Sequence, residues 1–475
     1  MDAGPIIDET VKKRRPLWLR IAIWGLSFFL ILLIAGFFYV RTWLNGYLQS
    51  DAFRQLLGHV TSQQLKARCE YAPFHFAGFS VNTDNFKAQG TAKAAFSSLE
   101  LTKIHTALVI GGLMHKSLEI DEVSIGRLQV SLGHTGAPPV PESEIGVEPE
   151  QPKPASPSHF GWITPKLDLR KVVVHDTNVL WGENTPQAGA VKGTEVTVKP
   201  DGDDAWNVLL QSGTVSQKGG PDLNLDHVKV RYQGPVVTIQ EGLFKLSAGG
   251  NIAVNGEVNT EKHLDVQVKV TALPLKPFLP PDVQAKLRGT LFADVKVSGP
   301  MPVVNPPEVS GSGHLENGDI EGIAALDFIA KLTRSPQFRK IKLHQASADF
   351  IYSGQKVTVS NIVVESKGLV SVEGGFTINN SNINGTFQIG LPHDLVKWLP
   401  GLEARVFTSA RGNYRWTTMH LTGPLKSPKE DLSGRIALAI PMSALDIVGD
   451  ATKIVPKVPE APKKLLDGLV KPLFK

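Results

Sequence analysis

The apolar positions of this chain change period twice. Ile21 to Val40 reads IAIWGLSFFLILLIAGFFYV, twenty residues without a charge. A helix rising about 1.5 Å per residue covers the roughly 30 Å hydrocarbon core of a bilayer at that length. Ile21, Trp24, Phe28, Phe29, Leu32, Phe37 and Val40 are spread over every face, which predicts a transmembrane anchor and argues against a core helix. Between Ser50 and Arg68 the period becomes helical and one-sided. Phe53, Leu56, Leu57 and Val60 recur at i, i+3, i+4 and i+7 behind a capping Ser50. From Phe74 onward the period falls to two. Leu264, Val266, Val268 and Val270 alternate with Asp265, Gln267 and Lys269, predicting antiparallel strands with one apolar and one wet face.

Breaks in this pattern divide the chain. A basic tail at 1–16 precedes the anchor at 17–43, and a helix with a first β unit follows at 44–134. Residues 135–160 hold seven prolines and four glutamates with few apolar residues, predicting an extended, disordered linker. Central β repeats at 161–310 lead to a further β region at 311–440. A basic, proline-spaced, amphipathic tail closes the chain at 441–475.

The strands also repeat. IDEVSIGRLQVSLG at 120–133 aligns without a gap to LRKVVVHDTNVLWG at 169–182. A longer period near 120 relates Tyr232-x-Gly234-x-x-Val237-x-Ile239 to Tyr352-x-Gly354-x-x-Val357-x-Val359. It also relates NIAVNGEVN at 251–259 to LVSVEGGFTIN at 369–379, and VSGPMPVVNPPEVSG at 297–311 to LTGPLKSPKEDLSG at 421–434. Conserved order among several pairs predicts units stacked edge to edge in one long sheet.

Charge sharpens the topology. The net +5 sits at the two ends. Residues 1–41 carry six Lys/Arg against three acidic residues, and 453–475 carry six Lys against two, so the body between is slightly acidic. A body without a basic stripe excludes nucleic acid as an expected partner. Lys12, Lys13, Arg14, Arg15 and Arg20 precede the apolar span and only Arg41 closely follows it. The positive-inside rule therefore keeps the N-terminus in the cytoplasm and exports the body as a single-pass protein. No A-x-A-like site follows the span, so an uncleaved anchor is expected over a signal peptide. Residues 462–475 fit either a basic amphipathic end that touches an anionic membrane or a solvated tail.

No catalytic, cofactor or metal constellation is present in the sequence, so no enzyme is expected. H-E-x-x-H, G-x-S-x-G and the phosphate-binding P-loop are all missing. Asp201, Asp203 and Asp204 lack the downstream glutamate of a calcium loop and read as a hairpin turn. His105 and His115 read as solvated or hydrogen-bonded side chains. Cys69, the one cysteine, has no partner at metal spacing and reads as a small buried hydrophobe.

Taken together, the anchor, the helix behind it, the strand pair LMHKSLEIDEVSIGRLQVSLG at 113–133 and the stretch at 311–377 resemble the AsmA-like family of membrane-anchored, exported β proteins. In that stretch GSGHLENGDIEG precedes a short helix expected at 323–333 and then ADFIYSGQKVTVSNIVVESKGLVSVEGGFTI. LTGPLKSPKEDLSGRI at 421–436 resembles the family's closing element. The resemblance implies a curved β groove with an apolar inner face, in a protein of the bacterial inner membrane whose body is periplasmic. It also implies handling of phospholipids between inner and outer membranes.

The expected fold is therefore mainly β: an N-terminal transmembrane helix, then an elongated, repetitive antiparallel sheet curved into an apolar groove, with a few short helices. Alternation alone fits a closed sandwich equally well. The one-sided sheet, the ordered repeat and the scarcity of covering helices favour the groove. Leu264, Val266, Val268, Val270, Val357 and Val359 are the candidate groove residues. Expected partners are phospholipid acyl chains, the inner membrane, and outer-membrane or envelope proteins. The competing reading is a periplasmic scaffold that assists outer-membrane protein assembly or envelope integrity by lending sheet edges, without moving lipid.

Overall fold

The computed structural model describes residues 50–77, 80–109, 117–133, 140–141, 166–185, 188–202, 204–279, 284–301, 306–321, 335–397, 401–425 and 427–439, with Gly46 and Ala330. The apolar span 21–40, the basic residues before it, the tail 441–475 and the helix expected at 323–333 lie outside them, Ala330 apart. Among the described residues no helix is long and apolar enough to cross a membrane.

Helix α1 (Asp51–Leu65) leads into the sheet. Thr61 on its last turns hydrogen-bonds Leu57 O and pairs with the Tyr71 hydroxyl at 3.0 Å, and Ser62 Oγ accepts from Cys69 N at 3.0 Å. These contacts pin α1 on the first strand. Ala67, Cys69, Phe86, Ala88, Ala94 and Phe96 are buried together there.

Among the described residues, all 24 strand segments belong to one sheet. Its first margin is β1 (Ala67–Tyr71) with β2 (Phe74–Ala77), two collinear pieces interrupted at Ala72-Pro73. Next come β3 (Ser80–Gly90), β4 (Phe96–Val109) and β5 (Ser117–Leu132), each antiparallel to its neighbour. The order then continues through β6 (Lys166–Leu169) with β7 (Val172–Trp181), β8 (Gly189–Pro200), and β9 (Ala205–Gln211) with β10 (Thr214–Gln217). From β11 (Leu223–Gln233) the sheet is a meander through β12 (Val236–Leu246), β13 (Asn251–Asn259), β14 (His263–Pro274), β15 (Leu287–Pro300) and β16 (Glu308–Glu321). It goes on through β17 (Lys340–Leu343) with β18 (Gln345–Ser353), β19 (Lys356–Ser366), β20 (Val370–Asn379), β21 (Asn382–Pro392) and β23 (Tyr414–Pro424). The short β22 (Ser409–Arg411) and β24 (Lys429–Glu430) line its far margin.

One junction departs from the antiparallel expectation: β5 runs parallel to β6 and β7. A parallel neighbour requires a crossover of a dozen or more residues, because the chain must return to the strand's starting end. The proline-rich insert falls in that connection. Its sequence position is thus a topological requirement, which alternation could not reveal.

Both sequence repeats are structural. The pairs Ile120↔Leu169, Val123↔Val172 and Leu132↔Trp181 keep the same offset as the gapless alignment, so the two copies lie side by side in register. In the longer repeat, Val236↔Asn259 corresponds to Lys356↔Asn379, and the bulge between Ile239 and Gly242 recurs between Val359 and Ile362. The turns preceding them place Gly234 (φ +55°) and Gly354 (φ +63°) in left-handed backbone, where glycine alone is unstrained. Bulges increase local twist and bend their strands, which curves the sheet.

The largest buried clusters lie at the ends, with single buried residues such as Val174, Leu225, Leu246 and Leu273 between them. The largest core gathers Phe338, Ile341, Val396, Leu402, Phe407 and Ile436 under α2 (His393–Val396), α3 (Leu402–Arg405) and α4 (Leu432–Ala439) at the C-terminal end.

Candidate functional site

Directly paired residues in a ladder share a face, so register traces each face across the whole sheet. One row begins Thr83, Ile104, Ile125, Val174, Val196, Leu210, Val228 and Gly242. It continues without a break through Val254, Val268, Val295, Gly311, Phe350, Val359, Phe376, Gly385 and Leu421. Every member after Thr83 is apolar or glycine. Sixteen strand spacings of about 4.8 Å make the row roughly 75 Å long. A second row beside it includes Val230, Ile239, Gly256, Val266, Val297, Val309, Tyr352 and Val357.

The candidates on β14 therefore fall on one face, as alternation required. Val268 lies in the first row and Val266 in the second. Val270 stands between Ile252 and Ala293, and Leu264 between Val258 and Gly299. All four are half-buried. The same holds along the first row from Val196 to Leu421, where every residue with a side chain larger than hydrogen is half-buried. A sandwich core would bury such valines and phenylalanines fully.

Val357 and Val359 share that apolar face but differ in surroundings. Val359 is half-buried. Val357 is 7% exposed, packed with Ile378, Ile383 and Leu425, so it is a core residue at the C-terminal end of the face. Alternation gave the face of Val357 but not Leu425, which reaches it from the turn after β23. The row members contributed by β4 to β11, Ile104 to Val228, were missed as groove residues. Their alternation was visible, whereas the register joining them to Val268 depends on bulges that leave no simple sequence mark.

Electrostatics belong to the opposite face. Gln267 and Lys269 are exposed there, and Lys296 pairs with Asp265 at 2.9 Å. On β11 and β12, His227 Nδ1 is 2.9 Å from Asp226 and its Nε2 is 3.1 Å from Glu241, while Lys229 meets Glu241 at 2.7 Å and Lys245 meets Asp226. The hydrogen bond to Asp226, then the approach of Glu241, pushes the His227 pKa up. Lys245 and His227 hold Asp226 below the usual carboxylate range.

Comparison with protein-family models, with curated proteins and with solved structures found no match.

His115 and Asp203 lie outside the described residues, and the other sequence candidates have local explanations. Asp201 opens the β8–β9 turn, where its amide donates to Ala205 O at 2.7 Å and its carboxylate accepts from Arg231 at 2.7 Å. His105 is hydrogen-bonded to Asn82. Cys69 is buried, and desolvation pushes its thiol pKa up. Among the described residues no group of His, Cys, Asp or Glu could hold a metal ion. The apolar rows are therefore the candidate site, and what they can do is remove hydrocarbon from water.

Proposed function

We propose that this protein is a membrane-anchored, exported lipid binder that holds or transfers phospholipid acyl chains along the apolar face of its sheet. The observation carrying the reading is the unbroken, half-buried row from Val196 to Leu421. Each methylene moved from water onto such a face gains about 0.8 kcal/mol. The occupant is an acyl chain, because the span at 21–40 tethers the start of the body to a bilayer and the face is long, continuous and uncharged. Headgroups stay in water, and no catalytic step is needed. The basic residues before the span place the N-terminus in the cytoplasm. The AsmA-like resemblance puts the body in a bacterial periplasm, supporting outer-membrane lipid homeostasis.

The test is mass spectrometry of lipid that co-purifies with the full chain. Val268→Asp should lower bound phospholipid at least severalfold, and Gln267→Asp on the wet face of the same strand should leave it unchanged. A protein free of lipid, with no capture by photoreactive groups at Leu264, Val266 and Val268, sinks the reading. The envelope scaffold then takes its place, if disrupting an edge strand also dissolves a protein complex.

A further inference from the structure

The wet face carries a second feature. A trough of about 660 Å³ crosses it from β12 to β18, within the range of ligand sites. It runs between equivalent bulges of the two repeats, Gln240-Glu241 on β12 and Ser360-Asn361 on β19, the latter donating to Asp349 at 2.7 Å. Five strand spacings give it a length of roughly 24 Å.

We propose that this trough binds a neutral oligosaccharide. Gln240, Asn255, Gln267, Ser310 and Ser312 line it, and none of their side chains hydrogen-bonds another described residue. Amides and hydroxyls left free in a concave row match a ligand rich in hydroxyl groups, each able to give and take a hydrogen bond. The charges largely cancel. Lys269 lies 3.9 Å from Asp294, Lys296 is paired with Asp265 and Glu241 with Lys229, while Asp349 keeps its negative charge and accepts a hydrogen bond from the neutral Asn361. That balance disfavours nucleic acid and other polyanions. An extended peptide is disfavoured too, because strands paired on both sides offer it no free backbone groups. One side-chain step from Asp294 and Ser312, Phe292 and His314 stack with centroids 5.0 Å apart and planes 4° from parallel. Phe292 is half-buried and His314 exposed, so the pair sets an aromatic edge beside the hydrogen-bonding floor, against which a sugar ring can pack.

The full chain in detergent should bind chitohexaose or maltohexaose in calorimetric titration. Asn255→Ala combined with Gln267→Ala should weaken that binding at least tenfold, and Phe292→Ala severalfold, with melting temperatures checked for each. Gln267→Glu is a smaller change that keeps the test open if the double variant misfolds, and it should also weaken binding. Val266→Asp, on the other face and outside the trough's lining, should leave it intact even where lipid is lost, so this inference and the lipid reading can fail separately. It is overturned if neither oligosaccharide binds at millimolar concentration, if binding ignores these substitutions, or if heparin oligosaccharide binds in preference.

Discussion

At the scale of single residues, alternation tells which face a side chain takes, and neighbours decide what it does there. Val268 and Val357 look alike in sequence, yet one stays half-buried and the other is closed in by Leu425. Glycine adds a constraint that alternation hides. Gly256 stands in the apolar row opposite Val266 with φ +146°, and a Cβ there would lie 2.3 Å from Asp265 O and 2.6 Å from Val266 Cα. Backbone atoms cannot swing away as a side-chain tip could. Gly256→Ala should therefore cost about 1–3 kcal/mol, read as a lower midpoint in chemical denaturation; an unchanged midpoint would contradict the close approach. Cys69 gives a second prediction. Burial and a raised pKa keep its thiol neutral and covered, and the thiolate is the reactive form. Thiol reagents should leave the native protein unlabelled and modify it only after denaturation.

At the scale of elements, more was legible than the face pattern. The gapless alignment of 120–133 with 169–182 proves to be the parallel register of β5 with β7, so duplicated strands came to lie beside each other. Sequence could not show that the pairing is parallel, because the deciding connection carries no periodic pattern. Positions of charge partners were also hidden. Asp226 and His227 are adjacent in sequence, but Glu241 and Lys245 join them only through the β11–β12 hairpin. The resulting pH dependence has a definite sign. His227 has a raised folded pKa, so its stabilisation is complete below the unfolded value of about 6.5 and is lost as pH rises through the raised one. Asp226 and Glu241 have lowered values, so their contribution is present above the ordinary carboxylate range and fades as pH falls through their folded pKa values. His227→Gln should lower the melting temperature at pH 6 and have little effect at pH 8.5. An equal loss at both pH values would mean that packing, not charge, holds this residue.

At the scale of the whole molecule, a single sheet whose strands contact mainly their neighbours behaves as a one-dimensional array. Its largest buried clusters lie at opposite ends, around Phe86 and around Phe407, joined by a long stretch where the first apolar row is half-buried from Val196 to Leu421 and single leucines such as Leu225, Leu246 and Leu273 are buried beside it. Such a molecule has no common core through which the ends could unfold together, so all-or-none behaviour is not expected of it. Phe407 is 1% exposed inside the C-terminal core, and replacing a buried phenylalanine with alanine costs about 3–5 kcal/mol. That loss should stay local. In hydrogen-exchange mass spectrometry of the full chain, Phe407→Ala should speed exchange through β17 to β23 while β1 to β5 keep their wild-type protection. Faster exchange in every strand would show instead that the sheet folds as one cooperative unit. Local failure also matters for the proposed activity. The Phe407 core packs on Val364, Val372 and Ile389 of the apolar face, apart from the cluster that holds Val357, so loosening it should uncover that end of the face without disturbing Val268. The same variant should then retain bound lipid, or gain it, even as its C-terminal strands lose protection.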